Sequence, residues 1–344
     1  MGSSYFDRVI NDGSIDWKSL KDSTVLITGG TGLVGSIIVK SLLHSNTVNS
    51  TNIKVIVVTR SATKAETVLG KDNNLSFIES DILELSNLDI KCDYIIHCAA
   101  ITSSALMVSM PVETIDTSYQ GTKAMLELAK SNNAKGMVYI SSMEVYGVTT
   151  SEMNPVTEEK LGYVSLENVR SSYQESKRIC ELLCTSYASE YGVRVCSARL
   201  AQTFGAGVSK DEGRIFAQFA KSVISGTDIV LHTKGESVGN YCDTSDTVAG
   251  ILCILTRGAS GEAYNVSNDN NSCHIYEMAE LCANKLASGR IKVVFDIPEG
   301  NLYGYAPATE MRLSSAKLQA LGWKPSYSLE DMYNKMISYW NEAD

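Results

Sequence analysis

The sequence contains no apolar run near the roughly 18 residues that a membrane-spanning helix needs. Residues 1–8 show no apolar segment of the kind found in secretory signal peptides. Acidic residues outnumber basic ones by 39 to 30, and the formal net charge of −9 disfavours nucleic acid and anionic membranes as partners. We therefore expect a cytoplasmic protein with neither a nucleic-acid nor a membrane partner.

Metal-binding and disulfide patterns are missing as well. None of the nine cysteines forms a C-x-x-C pair, and an odd number of cysteines cannot pair completely. Cys180 and Cys184 lie four residues apart on a predicted helix, but no histidine or second cysteine pair is near them. Since the chain has only four histidines, we interpret His97 as a structural residue. The sequence thus predicts reduced cysteines and no metal site.

What the sequence does contain is a repeated alternation of apolar strands and helices. With 344 residues, the chain can bury one large or two modest cores. Continuous apolar strands that alternate with helices are typical of a parallel sheet covered on both faces, so we predict a doubly wound α/β sheet of the Rossmann type. The predicted strands are 25–27, 53–58, 75–78, 94–100, 137–140 and 193–198, and the longer predicted helices are 37–43, 114–130 and 173–191. On the last helix, the buried side is expected to carry Ile179, Leu182, Leu183 and Tyr187.

After about residue 204 the glycine content rises and the elements shorten, which predicts a smaller C-terminal lobe. A late strand at 264–266 is expected to return to the sheet. Ser14 is expected to cap a helical turn at 15–20. The predicted parts are an N-terminal arm at 1–22, a nucleotide-binding domain at 23–203 plus about 241–270, and a substrate-binding lobe at 204–240 and 271–344.

A glycine-rich turn, Thr28-Gly-Gly-Thr-Gly-Leu-Val-Gly35, follows the first predicted strand. Gly29 would allow the tight turn, Gly32 the close approach of a pyrophosphate, and Gly35 the contact between helix and sheet. A strand, a glycine turn and a helix in this order point backbone N–H groups at a phosphate. The turn therefore predicts a dinucleotide site, with Thr31, Leu33 and Val34 as further cofactor contacts.

Ser142 follows the fifth predicted strand, at the carboxyl edge where open α/β sheets bind ligands. Tyr173 and Lys177 lie four residues apart near the start of a helix and so share one helix face. A neighbouring ammonium group lowers the pKa of a phenol, which makes the tyrosine a usable acid or base. A second pair with this spacing, Tyr119 and Lys123, has no serine-bearing strand end before it. The context therefore selects Tyr173 and Lys177.

These motifs resemble those of the extended short-chain dehydrogenase/reductases, in the group of nucleotide-sugar epimerases, dehydratases and decarboxylases. The resemblance implies an NAD(P)-dependent enzyme that transfers a hydride at a hydroxyl or keto carbon of a nucleotide sugar. It also implies a homodimer with a four-helix interface, built here from residues 114–130 and 173–191 of each subunit. The matching segments, in family order, are Thr28–Gly35, Asp81, His97–Ala100, Ser142–Gly147, Tyr173–Lys177, Arg199–Gly205 and Leu321–Pro325.

The resemblance also implies roles for individual residues. Tyr173 would be the general acid or base, Lys177 would hold the nicotinamide ribose, and Ser142 would contact the sugar oxygen. Glu144 stands where dehydratases and decarboxylases carry a catalytic glutamate, but Met143 replaces the neighbouring acid of the dehydratases and disfavours loss of water by that route. The other implied contacts are Asp81, Ile82, Ala99 and Ala100 with the cofactor, and Met143, Gln202 and Arg312 with the substrate.

Two departures from the family pattern bear on the ligands. Gly239 replaces an expected arginine, which leaves Arg312 as a candidate clamp for the diphosphate. At the end of the second strand, where NAD-binding proteins carry an acid for the ribose 2′-hydroxyl, the chain has Arg60. Because a guanidinium attracts a 2′-phosphate, NADP(H) is favoured over NAD(H), although Arg60 could equally be a solvated loop residue.

Three functions stay open at this point. NADP(H) that exchanges freely would favour the reduction of a keto-sugar nucleotide. A tightly held NAD would be recycled in place, giving epimerisation or, with Glu144, decarboxylation of the UDP-glucuronate type. A non-catalytic dinucleotide sensor or scaffold is the third reading, and the intact Ser142, Tyr173 and Lys177 argue against it.

Overall fold

A seven-stranded parallel sheet lies at the centre of the computed structural model, which describes residues 4–87, 90–299 and 309–342. The order of its strands is β7-β6-β5-β4-β1-β2-β3, and every neighbouring pair is parallel. The predicted doubly wound α/β sheet is confirmed. Its strands are β1 (Thr24–Thr28), β2 (Lys54–Thr59), β3 (Leu75–Glu79), β4 (Tyr94–His97), β5 (Gly136–Ser142), β6 (Val195–Leu200) and β7 (Ala263–Val266).

Helices cover both faces of this sheet. Ile38 in α3 and Leu252 in α9 belong to the apolar core on one face, and Met125 in α6 and Cys184 in α7 belong to the core on the other. Burial on both faces explains why the strands read as unbroken apolar runs. The helices are α1 (Ser4–Ile10), α2 (Trp17–Leu20), α3 (Leu33–Asn49), α4 (Ala62–Leu69), α5 (Ser104–Ser109), α6 (Pro111–Ser131), α7 (Ser171–Tyr191), α8 (Ile215–Ser225), α9 (Thr244–Arg257), α10 (Ile275–Leu281), α11 (Ala316–Gln319) and α12 (Leu329–Glu342).

The inward face of α7 differs from the one that the sequence suggested. The prediction of the buried side is wrong for Ile179 and Leu182, which are 41% and 60% exposed. Tyr187 is buried as expected, and Leu183 is half-buried. The buried line is instead Tyr173, Lys177 and Cys184. Residues four or seven apart lie on one helix face, so the buried face runs from Tyr173 through polar side chains that the apolar pattern does not reveal.

The N-terminal arm is folded against the sheet's helices. Phe6 and Val9 of α1 are buried in the same core as α3 and α9. The predicted cap of the next helical turn is wrong. Asp16, not Ser14, caps α2, since its carboxylate accepts hydrogen bonds from the N–H groups of Lys18 and Ser19.

A second apolar core is formed by residues from the C-terminal part of the chain. Phe204 stacks on Phe216 with ring centroids 4.5 Å apart, and Trp340 is buried in the same cluster. Leu318 and Trp323, by contrast, pack into the core beneath the parallel sheet. The domain boundaries drawn from the sequence stay a prediction.

Short elements complete the described chain. None of its helices is long and apolar enough to cross a bilayer. The short strand pairs are Gln202–Phe204 with Tyr241–Asp243, Val238–Gly239 with Cys273–His274, and Ile229–Leu231 with Val293–Phe295. The short 3₁₀ helices are Ile82–Asn87, Met143–Tyr146, Ser151–Met153 and Asp269–Asn271, and Cys282–Leu286 is a short π-helix.

Candidate active site

The glycine turn connects β1 to α3 and contacts the chain that follows β4. Gly29 has a φ of +67°, and a Cβ there would lie 2.7 Å from the backbone nitrogen of Ala99. A Cβ on Gly35 would lie 2.3 Å from the Gly29 carbonyl oxygen. A Cβ on Gly32 meets only that oxygen, at 3.4 Å, so the space above Gly32 is open. The turn therefore has both the close internal contacts and the open approach that a pyrophosphate cradle requires.

The turn lies where the strand order of the sheet reverses. β1 pairs with β4 on one side and with β2 on the other. Ligands of open α/β sheets bind in the crevice beyond the carboxyl ends of the strands at this position. Ala99 and Ala100, which follow β4, are half-buried beside the turn. The N-terminal N–H groups of α3, at Leu33 and Val34, precede its first helical hydrogen bond and supply donors for an anion.

Other predicted cofactor residues follow β2 and β3. Arg60 is exposed directly after β2. Asp81 is exposed, and its carboxylate accepts the N–H of Leu83 at 3.0 Å. Ile82 is half-buried against α6, where a Cβ on Gly121 would lie 3.2 Å from it. These residues lie along one edge of the sheet, where an adenosine would extend from the glycine turn.

Glu79 also lies at this edge and was missed in the sequence. It ends β3 in register with Thr59, the last residue of β2. Its carboxylate accepts the N–H of Ala62 at the start of α4, at 2.7 Å. An acid is thus present beside Arg60, on the neighbouring strand and not on β2 itself. The pattern used to predict the cofactor considers only the residue at the end of β2. The register of β3 against β2 is what places Glu79 beside that residue.

His97 ends β4 and is a buried structural residue, as interpreted from the sequence. Its Nδ1 lies 2.7 Å from the Thr28 hydroxyl, and its Nε2 lies 3.3 Å from the Thr122 hydroxyl. Burial lowers the pKa of His97 to about 3, so the ring is neutral at physiological pH. It connects β4 with β1 and α6 behind the glycine turn.

Ser142, Tyr173 and Lys177 come together at the carboxyl end of β5. Ser142 is the last residue of that strand, and its hydroxyl accepts the N–H of Glu144 at 3.2 Å. Tyr173 and Lys177 are buried on the inward face of α7. The Lys177 ammonium donates to the carbonyl oxygen of Ile140 at 2.7 Å and lies 5.6 Å from the centroid of the Tyr173 ring. Tyr119 of the alternative pair lies on α6 and is 37% exposed.

Burial and nearby charges raise the pKa of Tyr173, whereas the sequence led us to expect a lowering by the Lys177 ammonium. Burial, and then the nearby Glu144 carboxylate, raise the pKa of Tyr173 to about 12, against smaller lowering effects of Ser142, Arg170 and Arg214. Burial also lowers the pKa of Lys177 to about 8. In this state of the protein the phenol is protonated at neutral pH, which suits it to donate a proton.

A buried ion pair holds α7 in place behind these residues. Glu181 lies one helical turn beyond Lys177 and accepts hydrogen bonds from Arg199 of β6 at 2.7 to 3.1 Å. The Ser141 hydroxyl of β5 donates to the same carboxylate. Arg199 also donates to the Tyr146 hydroxyl at 3.0 Å. Helix α7 is thus joined to β5 and β6 one turn beyond Lys177, on the same buried helix face.

Arg170 was not identified in the sequence, although it stands three residues before Tyr173. Its guanidinium forms an ion pair with Glu144 at 3.0 Å. The guanidinium carbon lies 5.7 Å from the centroid of the Tyr173 ring. The signal that could have found it is this helical spacing of three residues, which places both side chains on one face.

The predicted substrate contacts are dispersed. Met143 is half-buried and packs against the core beneath the sheet. Gln202 is half-buried, and its N–H donates to the carbonyl oxygen of Asn240 at 2.9 Å. Arg312 lies 3.5 Å from a Glu310 carboxylate oxygen and 3.4 Å from the Ser272 carbonyl oxygen. Within the part of the chain that is described, no hydrogen bond or ion pair joins Gln202 or Arg312 to Tyr173.

The position of the missing arginine is filled from within the chain. A Cβ on Gly239 would lie 2.3 Å from the hydroxyl of Tyr241. Tyr241 is fully buried, and its hydroxyl has no hydrogen-bond partner among the described residues. The Tyr241 side chain therefore occupies the place where an arginine at 239 would begin.

The model of the NAD dependent epimerase/dehydratase family matches residues 25–267, which include the glycine turn, Ser142, Tyr173 and Lys177. The chain belongs to this family. The resemblance drawn from the sequence motifs is thereby confirmed.

Related proteins of this epimerase/dehydratase family have known activities. UDP-glucuronic acid decarboxylase 1 of Danio rerio is 31% identical over 317 residues, which are 92% of this chain and 72% of that protein. A UDP-glucose 4-epimerase of Thermotoga maritima, solved with UDP-glucose, has a TM-score of 0.77 at 21% identity and covers 93% of this chain and 99% of its own. RMD of Pseudomonas aeruginosa, solved with NADPH, has a TM-score of 0.71 at 22% identity and covers 94% of this chain and 100% of its own. At these identities the two solved structures support the fold alone.

The glycine turn of this epimerase/dehydratase generates a paired prediction. Gly32→Ala leaves the free energy of urea unfolding within about 0.5 kcal/mol of wild type, because its Cβ makes only an ordinary contact of 3.4 Å. It weakens NAD(P) binding measured by calorimetry, since the methyl group fills the approach of the pyrophosphate. Gly35→Ala is the matched variant and destabilises the fold by about 1–3 kcal/mol, because its Cβ would lie 2.3 Å from a backbone oxygen. If Gly32→Ala bound NAD(P) with unchanged affinity, the interpretation of this turn as the binding site of the pyrophosphate would be contradicted.

Proposed function

We propose that this chain is an NAD(P)-dependent enzyme that acts on a nucleotide-activated sugar by hydride transfer at a hydroxyl or keto carbon, in reduction or epimerisation. The observation that carries the proposal is the convergence of Ser142, Tyr173 and Lys177 at the carboxyl end of β5, beside the crevice at the glycine turn. Membership of the NAD dependent epimerase/dehydratase family and the similarity to a UDP-glucuronic acid decarboxylase support it.

In the proposed reaction, Tyr173, Ser142 and Lys177 have different roles in the transfer of one proton that accompanies the hydride. The bound nicotinamide supplies the hydride acceptor and donor. Tyr173 exchanges the proton of the reacting hydroxyl or carbonyl oxygen, and Ser142 holds that oxygen by a hydrogen bond. Lys177 lies behind Tyr173 and would hold the cofactor's ribose. The raised pKa of Tyr173, about 12, keeps the phenol protonated at neutral pH and so able to donate to a keto oxygen.

Decarboxylation of a UDP-glucuronate type substrate is the second candidate, and Glu144 favours it. The carboxylate of Glu144 lies close enough to Tyr173 to raise its pKa, and it is held there by Arg170. A carboxylate in this position can exchange a proton with the substrate next to Tyr173. Met143 still disfavours dehydration, because a thioether cannot donate a proton.

Replacing Tyr173 distinguishes the hypothesis of an enzyme from that of a non-catalytic sensor or scaffold. Tyr173→Phe removes the exchangeable proton, and we expect the turnover of UDP-glucuronate or of a UDP-keto-sugar to fall by about 10²–10⁴-fold while NAD(P) affinity is retained. Product formation is measured by chromatography and cofactor affinity by calorimetry. Tyr119→Phe, in the other Tyr-x-x-x-Lys pair, is the control and keeps its activity. If Tyr173→Phe turned over substrate at the wild-type rate, Tyr173 would have no catalytic role.

We infer further that NADP(H) is the preferred cofactor, because Arg60 is exposed at the end of β2, where a 2′-phosphate would lie. Glu79 supports the opposite preference, since an acid beside this position suits a free 2′-hydroxyl. We expect Arg60→Ala to weaken NADPH binding by about tenfold and to leave NADH binding unchanged, because a charge-assisted hydrogen bond is lost.

Glu79→Gln is the matched variant at the same edge and strengthens NADPH binding by removing an anion. The dissociation constants of both dinucleotides are measured for the three proteins by calorimetry. Wild-type protein that binds NADH more tightly than NADPH, with Arg60→Ala unchanged, would contradict the preference.

We also propose a homodimer through α6 and α7. Val112 and Ile115 on α6 are 64% and 45% exposed, and Ile179 and Leu182 on α7 are 41% and 60% exposed. Apolar side chains grouped on two neighbouring helices favour burial against a second copy.

Light scattering during size exclusion checks the dimer. We expect a dimer for the wild type and a monomer for Leu182→Asp, because a buried, unpaired carboxylate opposes association. Ile224→Asp changes a residue of α8 that is 49% exposed and serves as the control that stays dimeric. A wild-type monomer at micromolar concentration would refute the interface.

A further inference from the structure

Arg170 lies at the junction between the active-site loop and α7. It immediately precedes the helix, has helical backbone angles of −62° and −23°, and its N–H donates to the Asn168 side-chain oxygen at 3.0 Å. Its side chain shares a helix face with Tyr173, three residues on, and its guanidinium carbon is 5.7 Å from the centroid of that ring. The position of Arg170 before the helix thus places its guanidinium beside the phenol of Tyr173.

One end of this guanidinium is bound and the other is not. Nη2 lies 3.0 Å from each carboxylate oxygen of Glu144. Nη1 is buried and has no hydrogen-bond acceptor among the described residues. Because a buried donor without an acceptor is costly, native proteins rarely keep one unless a ligand or water completes the bond. The free donor of Arg170 therefore indicates a missing acceptor in the active site.

The acceptor is expected on the sugar and not on the nucleotide. Glu144 and Tyr173, the two neighbours of the guanidinium, stand beside Ser142 at the reacting centre. Arg312, the predicted clamp for the diphosphate, contacts Glu310 and the Ser272 carbonyl group instead.

We propose that Arg170 is a substrate-binding residue whose Nη1 donates a hydrogen bond to an oxygen of the sugar, while Nη2 holds the Glu144 carboxylate beside Tyr173. The inference rests on the proposed nucleotide-sugar function. Arginine suits both tasks, because its planar guanidinium presents donors in fixed directions to two acceptors at once. A lysine at this position would carry the charge but could not reproduce that fork.

The test compares the sugar's contribution to binding with that of the nucleotide. Protein saturated with whichever of NADP and NAD it binds more tightly is titrated by calorimetry with UDP, UDP-glucose and UDP-glucuronate. The proteins are wild type, Arg170→Met, Arg170→Lys and a control, Arg194→Met, which changes an exposed arginine before β6. We expect Arg170→Met to raise the dissociation constant of a UDP-sugar by about tenfold or more and that of UDP by less than about twofold.

The variants also identify the acceptor. An equal loss for both UDP-sugars shows that a hydroxyl oxygen is bound, and a loss confined to UDP-glucuronate shows that a carboxylate is bound. Arg170→Lys is expected between wild type and Arg170→Met, and it provides the comparison if Arg170→Met fails to fold. Arg194→Met binds all three ligands as wild type does.

Two results would overturn the proposal in distinguishable ways. If UDP-sugars bind tightly to wild type and equally tightly to both Arg170 variants, Arg170 has no role in binding the sugar, while the nucleotide-sugar function stands. Equal weakening of UDP and of both UDP-sugars has the same meaning. If no UDP-sugar binds wild type more tightly than UDP does, the nucleotide-sugar function and the role of Arg170 fail together.

Discussion

The ion pair between Glu181 and Arg199 fixes the position of the helix that carries the reacting groups. It is buried and bidentate, and the Ser141 hydroxyl of β5 completes it. Removing one partner of a buried pair leaves an uncompensated charge and costs about 3–5 kcal/mol, so α7 cannot turn or slide freely against β5 and β6. Tyr173 and Lys177 stand two turns and one turn before Glu181 on the same face, and their placement beside Ser142 follows from this attachment.

Burial of that helix face has a chemical consequence. Desolvation disfavours the charged forms of both side chains, which raises the pKa of Tyr173 to about 12 and lowers that of Lys177 to about 8. Glu144 and Arg170 then place an anion and a cation beside the phenol as a neutralised pair. The phenol of Tyr173 is therefore protonated at neutral pH in this structure.

The ligand sites show where this chain differs from the pattern of its family. Tyr241 fills the space where an arginine at position 239 would begin, so that position offers no cation to a ligand. At the adenosine end, Arg60 and Glu79 lie on neighbouring strands with opposite charges. Cofactor choice then depends on the balance of the two and not on one strand end.

The sequence by itself determined the sheet, the glycine turn and the choice of Ser142, Tyr173 and Lys177 as candidate site residues. Each leaves a local signal, namely unbroken apolar strands, glycine spacing, and a tyrosine and a lysine one turn apart. It failed at Ile179 and Leu182, where apolar character was taken for burial, and it could not find Glu79 or the free donor of Arg170. Only the tertiary structure decided those features, because strand register, helix rotation and the absence of an acceptor depend on contacts between residues far apart in the chain. Local sequence patterns indicate secondary structure and the chemistry of a side chain, whereas tertiary packing determines which other residues that side chain contacts.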